Sequence, residues 1–116
     1  MHRYKDFKFW QQSRLFCKEI YLITSSFPDE EKFGLVSQLR RASISVSSNI
    51  AEGASRKSNK DFSRFLTIAL GSCYEIETQL LISNDLDFIS ETDLNRLQES
   101  VLIIIKMMSK FNSTLN

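Results

Sequence analysis

Apolar residues recur at intervals of three and four along most of the chain, the spacing of helices that bury one face. The first run carries Phe7, Trp10, Cys17, Ile20 and Tyr21, with Ser13 and Arg14 in its gap, and predicts a helix over about residues 5–24. It stops at Ser25-Ser26-Phe27-Pro28. Proline disfavours α geometry in the residue before it and suits the first turn of a new helix, where Asp29, Glu30 and Glu31 meet the positive end of the macrodipole. A second helix over about 29–53 follows from Val36, Leu39, Ser43, Val46, Ile50 and Gly53, with Ala42, Ser45, Ser47, Ser48 and Ala51 around them. Residues this small let neighbouring backbones approach closely, so the second helix is expected at the centre of the packing. The third, about 58–83, starts at Ser58 or Asn59 as cap, carries Phe62, Phe65, Leu66, Ala69, Cys73, Ile76 and Leu80, and meets a left-handed stop at Asn84. The fourth, about 90–111, opens on Ser90 with Asp93 three residues on, then runs through Leu94, Leu97, Val101, Ile104, Ile105, Met108 and Phe111. Short connections between them predict an all-α protein: an antiparallel up-down-up-down four-helix bundle, one domain spanning residues 1–116.

These stripes leave apolar side chains over. Phe9, Phe16 and Ile23 fall at steps of seven on a second face of the first helix, beside Leu15 and Leu22, and Ile44, Leu70, Leu102, Ile103 and Met107 lie off the other seams. A helix that is apolar on more than one face must bury more than one face. Either a wide core in a monomer takes these side chains or a subunit interface does; the interface is expected for Phe9, Phe16, Ile23 and Ile44, making the protein a homo-oligomer.

Composition narrows the class. One Pro and three Gly in 116 residues are too few turn formers for an all-β sandwich, and 42% hydrophobic with 25% charged residues excludes disordered and collagen-like chains. The net charge of +1 hides an asymmetry: residues 1–57 carry ten Lys and Arg against six Asp and Glu, and residues 58–116 carry five against eight. That imbalance falls short of the strongly basic composition of dedicated nucleic-acid binders. Cys17 and Cys73 lie inside helical patterns without CxxC spacing and read as reduced thiols. No apolar run approaches the ~18 residues of a membrane span and no apolar signal core precedes the first helix, so a cytoplasmic, non-membrane protein is expected.

Enzyme templates find no footing. His2 is the only histidine, leaving no imidazole for a triad, a zinc site or a di-iron bundle, and Glu75 and Glu77 point to different helix faces. Gly34, Gly53 and Gly71 are isolated, so no phosphate loop is present. Neither catalysis, metal nor cofactor is expected. The polar content of the second helix invites two readings. In one, Gln38, Ser45, Asn49, Glu52 and Glu75 form a structural network between helices or subunits. In the other, Arg40, Arg41, Arg56, Lys57, Lys60 and Arg64, set against only Glu52 and Asp61 in 25 residues, contact phosphates. Phe62 and Phe65 suit the core and leave no obvious aromatic for base stacking.

The stretch Phe27-Pro28, Phe33-Gly34-Leu35, Gln38-Leu39-Arg40-Arg41-Ala42, Ser45, Ser48-Asn49-Ile50-Ala51-Glu52-Gly53, Arg56, Ser58, Phe62, Phe65-Leu66, Ile68-Ala69, Gly71-Ser72, Glu75 and Glu77 resembles the four-helix-bundle proteins encoded in intervening sequences of bacterial 23S ribosomal RNA genes, the S23 ribosomal protein family. The resemblance implies an antiparallel bundle assembled as a homopentamer. The chain is also similar to the accessory variability determinant of diversity-generating retroelements, a pentameric partner of a reverse transcriptase that binds nucleic acid through basic residues. It departs from that relative in its near-neutral charge. Together these imply a non-enzymatic accessory protein with RNA or DNA, or a protein such as a reverse transcriptase, as partner. The alternative is a protein–protein scaffold in which the same arginines pair with Glu52, Glu75 or Glu77.

Overall fold

The computed structural model describes residues 2–115 and contains four long helices: α1 Lys8–Thr24, α2 Leu35–Ala54, α3 Asn59–Asp85 and α4 Glu91–Ser113. α1 packs on α2 and α4, and α3 on α2 and α4, so the helices run round the bundle in chain order, with α2 against α3 the most extensive seam. The bundle measures 43 × 24 × 19 Å. Among the described residues no helix is long and apolar enough to cross a membrane.

The helix ends follow local chemistry. Ser58 and Ser90 each accept a hydrogen bond from the amide three residues on, at Asp61 and Asp93, both 3.1 Å. α3 closes on a Schellman motif: Asp87 takes φ 63°, its amide donates to the carbonyl of Asn84, and the Phe88 amide donates to that of Ser83. The left-handed residue is thus Asp87, and Asn84 stays helical, donating through its side chain to the carbonyl of Ile89.

Two expected helices begin later than their apolar patterns suggest. Tyr4–Asp6 form a 3-10 turn and Phe7 is extended, so α1 starts at Lys8. Asp29–Glu31 form a second 3-10 turn after Pro28, and α2 starts only at Leu35. Its first amide, that of Leu35, donates to Glu31 Oε1 at 3.1 Å. A Cβ on Gly34 would sit 2.7 Å from that same oxygen, so a side chain there would displace the Glu31 carboxylate from the cap.

Phe7 lies outside α1, and the core face of the helix is not the one that the stripe of Phe7, Trp10 and Cys17 marks. Phe9, Ser13, Phe16, Ile20 and Thr24 point inward and Tyr21 is exposed. Phe9 and Phe16, expected at a subunit interface, are instead inside the bundle, and Ile23 packs partly buried against the same core. Of that expected set only Ile44 is exposed, at 44%; the apolar surplus of α1 is carried by Leu15 at 60% and Leu22 at 64%.

The small residues of α2 serve close packing at one place above all. A Cβ on Gly53 would lie 2.7 Å from Phe65 Cβ and 2.9 Å from Phe62 Cδ1, so α2 reaches α3 there by presenting backbone. Gly71 has nothing within 4 Å of an added Cβ and contributes no close approach.

Candidate nucleic-acid interface

Three distant segments meet at one end of the bundle: the N-terminal turn, the α2–α3 connection and the C-terminal half of α4. Aromatic rings join them. Phe7 stacks on Phe9 at 4.9 Å, and Phe111 lies 4.8 Å from Phe7 and 5.6 Å from Phe62. The His2 ring lies 5.0 Å from that of Phe62, and the His2 amide donates to the carbonyl of Ala54. Such a cluster fixes the entry of the chain against the close α2–α3 contact.

Folding also sorts charge along the bundle axis. The half made of residues 2–15, 45–72 and 103–115 carries ten Lys and Arg against three Asp and Glu, a net +7. The half made of 16–44 and 73–102 carries five against eleven, a net −6. An up-down topology reverses direction at every turn, so the +1 chain is a strongly polarised rod.

The six cations proposed for phosphate contact divide between these halves. Arg56, Lys57, Lys60 and Arg64 share the α2–α3 connection. Arg56 pairs with Glu52 at 3.0 Å and lies 3.9 Å from Asp61, which pairs with Arg64 at 3.1 Å. Both guanidinium groups also cover the Phe65 ring, at 4.8 and 4.4 Å from its centroid. Exposed pairs of this kind contribute about 1 kcal/mol or less, so they orient the arginines more than they hold the fold. Lys57 and Lys60 are exposed and have no ion pair among the described residues.

Arg40 and Arg41 do not join them. Arg41 lies 13 residues before the end of α2, ~20 Å away along the axis. The Arg40 Nε donates to Thr24 Oγ1 at 3.0 Å, its Nη2 donates to the carbonyl of Tyr21, and its guanidinium sits 4.5 Å from the Tyr21 ring centre. It ties α2 to the negative C-terminal turn of α1. Arg41 is exposed on a groove of about 360 Å³ between α2 and α3, lined also by Gln38, Ser45, Ser72, Glu75 and Gln79. No ion pair joins Arg41 to Glu52, Glu75 or Glu77 among the described residues.

The expected polar network is a set of short bridges. Ser72 Oγ donates to Ser45 Oγ at 2.9 Å, Asn49 Nδ2 donates to Ser45 at 2.9 Å, and Gln79 Nε2 donates to Gln38 Oε1 at 3.3 Å. Glu52 turns away to Arg56, and Glu75 lines the groove without a hydrogen bond in it. Ser72 and Gln79, missed in the sequence, are the partners from α3; each is a polar residue inside an apolar stripe, which is the signal that marks them. Cys73, beside Ser72, is fully buried; burial first and the Glu77 charge second push its thiol up to about 12, so it is a packed, unreactive group. Cys17 is half-buried and accepts a hydrogen bond from Ser43 Oγ at 3.3 Å.

Residues 5–110 match the family described as 23S rRNA-intervening sequence protein. The fold is similar to a crystal structure of a protein of unknown function from the S23 ribosomal protein family of Bacteroides thetaiotaomicron VPI-5482. That chain is 23% identical with a TM-score of 0.83, the match covering 90% of this chain and 95% of that one. No curated protein matches the sequence.

Proposed function

The chain belongs to the 23S rRNA-intervening sequence protein family, and from that premise we propose that it is a non-enzymatic, oligomeric accessory protein that binds nucleic acid through the basic end of its bundle. The observation that carries this reading is the axial sorting of charge, +7 in one half and −6 in the other. A near-neutral total then ceases to count against phosphate binding, because a polyanion approaching end-on meets Lys57, Lys60, Lys5 and Arg3 while eleven of the fourteen acidic residues stand in the other half. The aromatic cluster beneath holds that surface rigid.

Two unlike apolar patches support the oligomer. Leu15, Leu22 and Ile103 are exposed on the α1–α4 flank, and Ile44, Ile68 and Ile82 on the opposite α2–α3 flank, where Arg41 and Glu75 also stand. Unlike patches on opposite sides of one molecule join head to tail, giving a ring when the rotation closes. In a ring with its axis along the bundles, every basic end faces the same side, so weak contacts add. Leu22→Glu with Ile103→Glu is expected to reduce the mass measured by light scattering to that of one chain; an unchanged mass removes this part of the reading. For the nucleic-acid part, mobility shifts of a 20-nucleotide RNA and a 20-base-pair DNA at 50 mM salt are the test. Failure of both to bind rejects it.

A further inference from the structure

We infer that the basic end takes an unpaired base, and that the protein prefers single-stranded nucleic acid to a duplex. This rests on the reading above and names the substrate class of the same site. The N-terminal turn and the start of the α2–α3 connection enclose a cleft of about 300 Å³ lined by His2, Arg3, Tyr4, Lys5 and Ser55. Rings and cations stand together there around open space, and the α2–α3 connection borders it through Ser55. The His2 ring is backed by Phe62 at 5.0 Å and Phe111 at 6.0 Å, and the Tyr4 ring is braced edge-on against Trp10 at 5.1 Å. Both are held from behind, as a stacking platform requires. The Ser55 hydroxyl donates to the carbonyl of Glu52 at 2.6 Å, which leaves its oxygen lone pairs able to accept from a base amino or imino group.

Cations surround the cleft at the reach of a nucleotide backbone. Lys5 lies 6.0 Å from the Tyr4 ring centre and has no ion pair among the described residues; Arg3 pairs with exposed Asp6 at 3.4 Å; Lys57 follows Ser55 by two residues. A duplex keeps its base faces stacked and offers only its outer phosphates to such a concave site. A single strand can place one base against His2 and Tyr4 while its phosphates run over Arg3, Lys5 and Lys57.

Fluorescence anisotropy at 50 mM salt separates the outcomes, using a 12-nucleotide single-stranded RNA, the DNA of the same sequence, an abasic 12-mer of equal charge, and a hairpin duplex. The base-bearing strands should bind about 10-fold more tightly than the abasic strand. His2→Ala with Tyr4→Leu should erase that difference while leaving hairpin affinity unchanged. Ser55→Gln, which fills the mouth without touching the aromatic packing, should erase it too, with a thermal melt confirming the fold of each variant. Equal binding of RNA and DNA strands marks the base and phosphate as the recognised chemistry, and preference for RNA adds the 2′-hydroxyl. Equal affinity for base-bearing and abasic strands overturns the cleft and leaves the basic end standing. No binding of any probe overturns both.

Discussion

The two ends of this bundle are closed by different means. At the basic end, rings from the N-terminal turn, α1, α3 and α4 interlock, and Gly53 lets α2 come within contact of Phe62 and Phe65. At the acidic end, backbone and caps do the closing: the Glu31 cap, the Schellman turn at Asp87, the Ser90 cap, and one aromatic pair, Phe27 with Phe88 at 5.5 Å. The like charges are thereby gathered on the end with the larger aromatic cluster. Self-repulsion among exposed lysines is tolerable where packing beneath them is strong.

The largest expected effect tests whether the ends melt as one unit. Cys73 sits midway between them, and burial first, with the Glu77 charge second, pushes its thiol up from 9.0 to about 12. A folded value above the unfolded one makes this stability fully present below pH 9 and lost as pH rises towards 12. Trp10 fluorescence, which reports the basic end, and far-ultraviolet circular dichroism should therefore follow one alkaline transition, displaced to higher pH by Cys73→Val. Two separated transitions would show independent ends. Next, Gly53→Ala should cost ~3 kcal/mol in urea denaturation, because the obstructing atoms are Phe65 Cβ and the Phe62 ring and carbonyl. Gly71→Ala, in open space on α3, should instead stabilise by about 0.5–1 kcal/mol. A neutral Gly53→Ala would remove the claim that the basic end is the tighter one. The smallest effect belongs to the acidic end: Asp87→Gly should raise stability by roughly 0.5 kcal/mol, relieving a side chain held at φ 63°.

How much of this was legible in the chain depends on range. Ser58 and Ser90 mark helix starts because capping acts within a few residues, whereas Pro28 marks the break after α1 but not the start of α2, which waits until Leu35. The core face of α1 was not legible, since two faces of the helix carry apolar residues and the buried one sets Phe9, Phe16 and Ile20 beside the polar Ser13 and Thr24. Arg40 and Arg41 are adjacent in sequence but about 100° apart round the helix, so one is tied to Tyr21 and Thr24 while the other faces a groove. The polarity of the charge was hidden for a topological reason. Halving the chain at residue 57 mixes both ends, because each end is assembled from segments up to about a hundred residues apart. Lys106 and Lys110 come to the same half as Arg3 and Lys5 only once α4 has returned along α1.

The claim that one end binds and the other does not is tested most directly by charge reversal at each. Anisotropy of a single-stranded RNA at 50 mM salt would compare the natural protein with Lys57→Glu plus Lys60→Glu, and with Asp29→Lys plus Glu30→Lys. Four phosphate contacts imply a loss of about 50-fold between 50 and 200 mM salt for the natural protein. The basic-end reversal should abolish most of that dependence along with the affinity, and the acidic-end reversal should leave affinity unchanged or slightly raised. Equal losses from the two reversals, or none from the first, would contradict it.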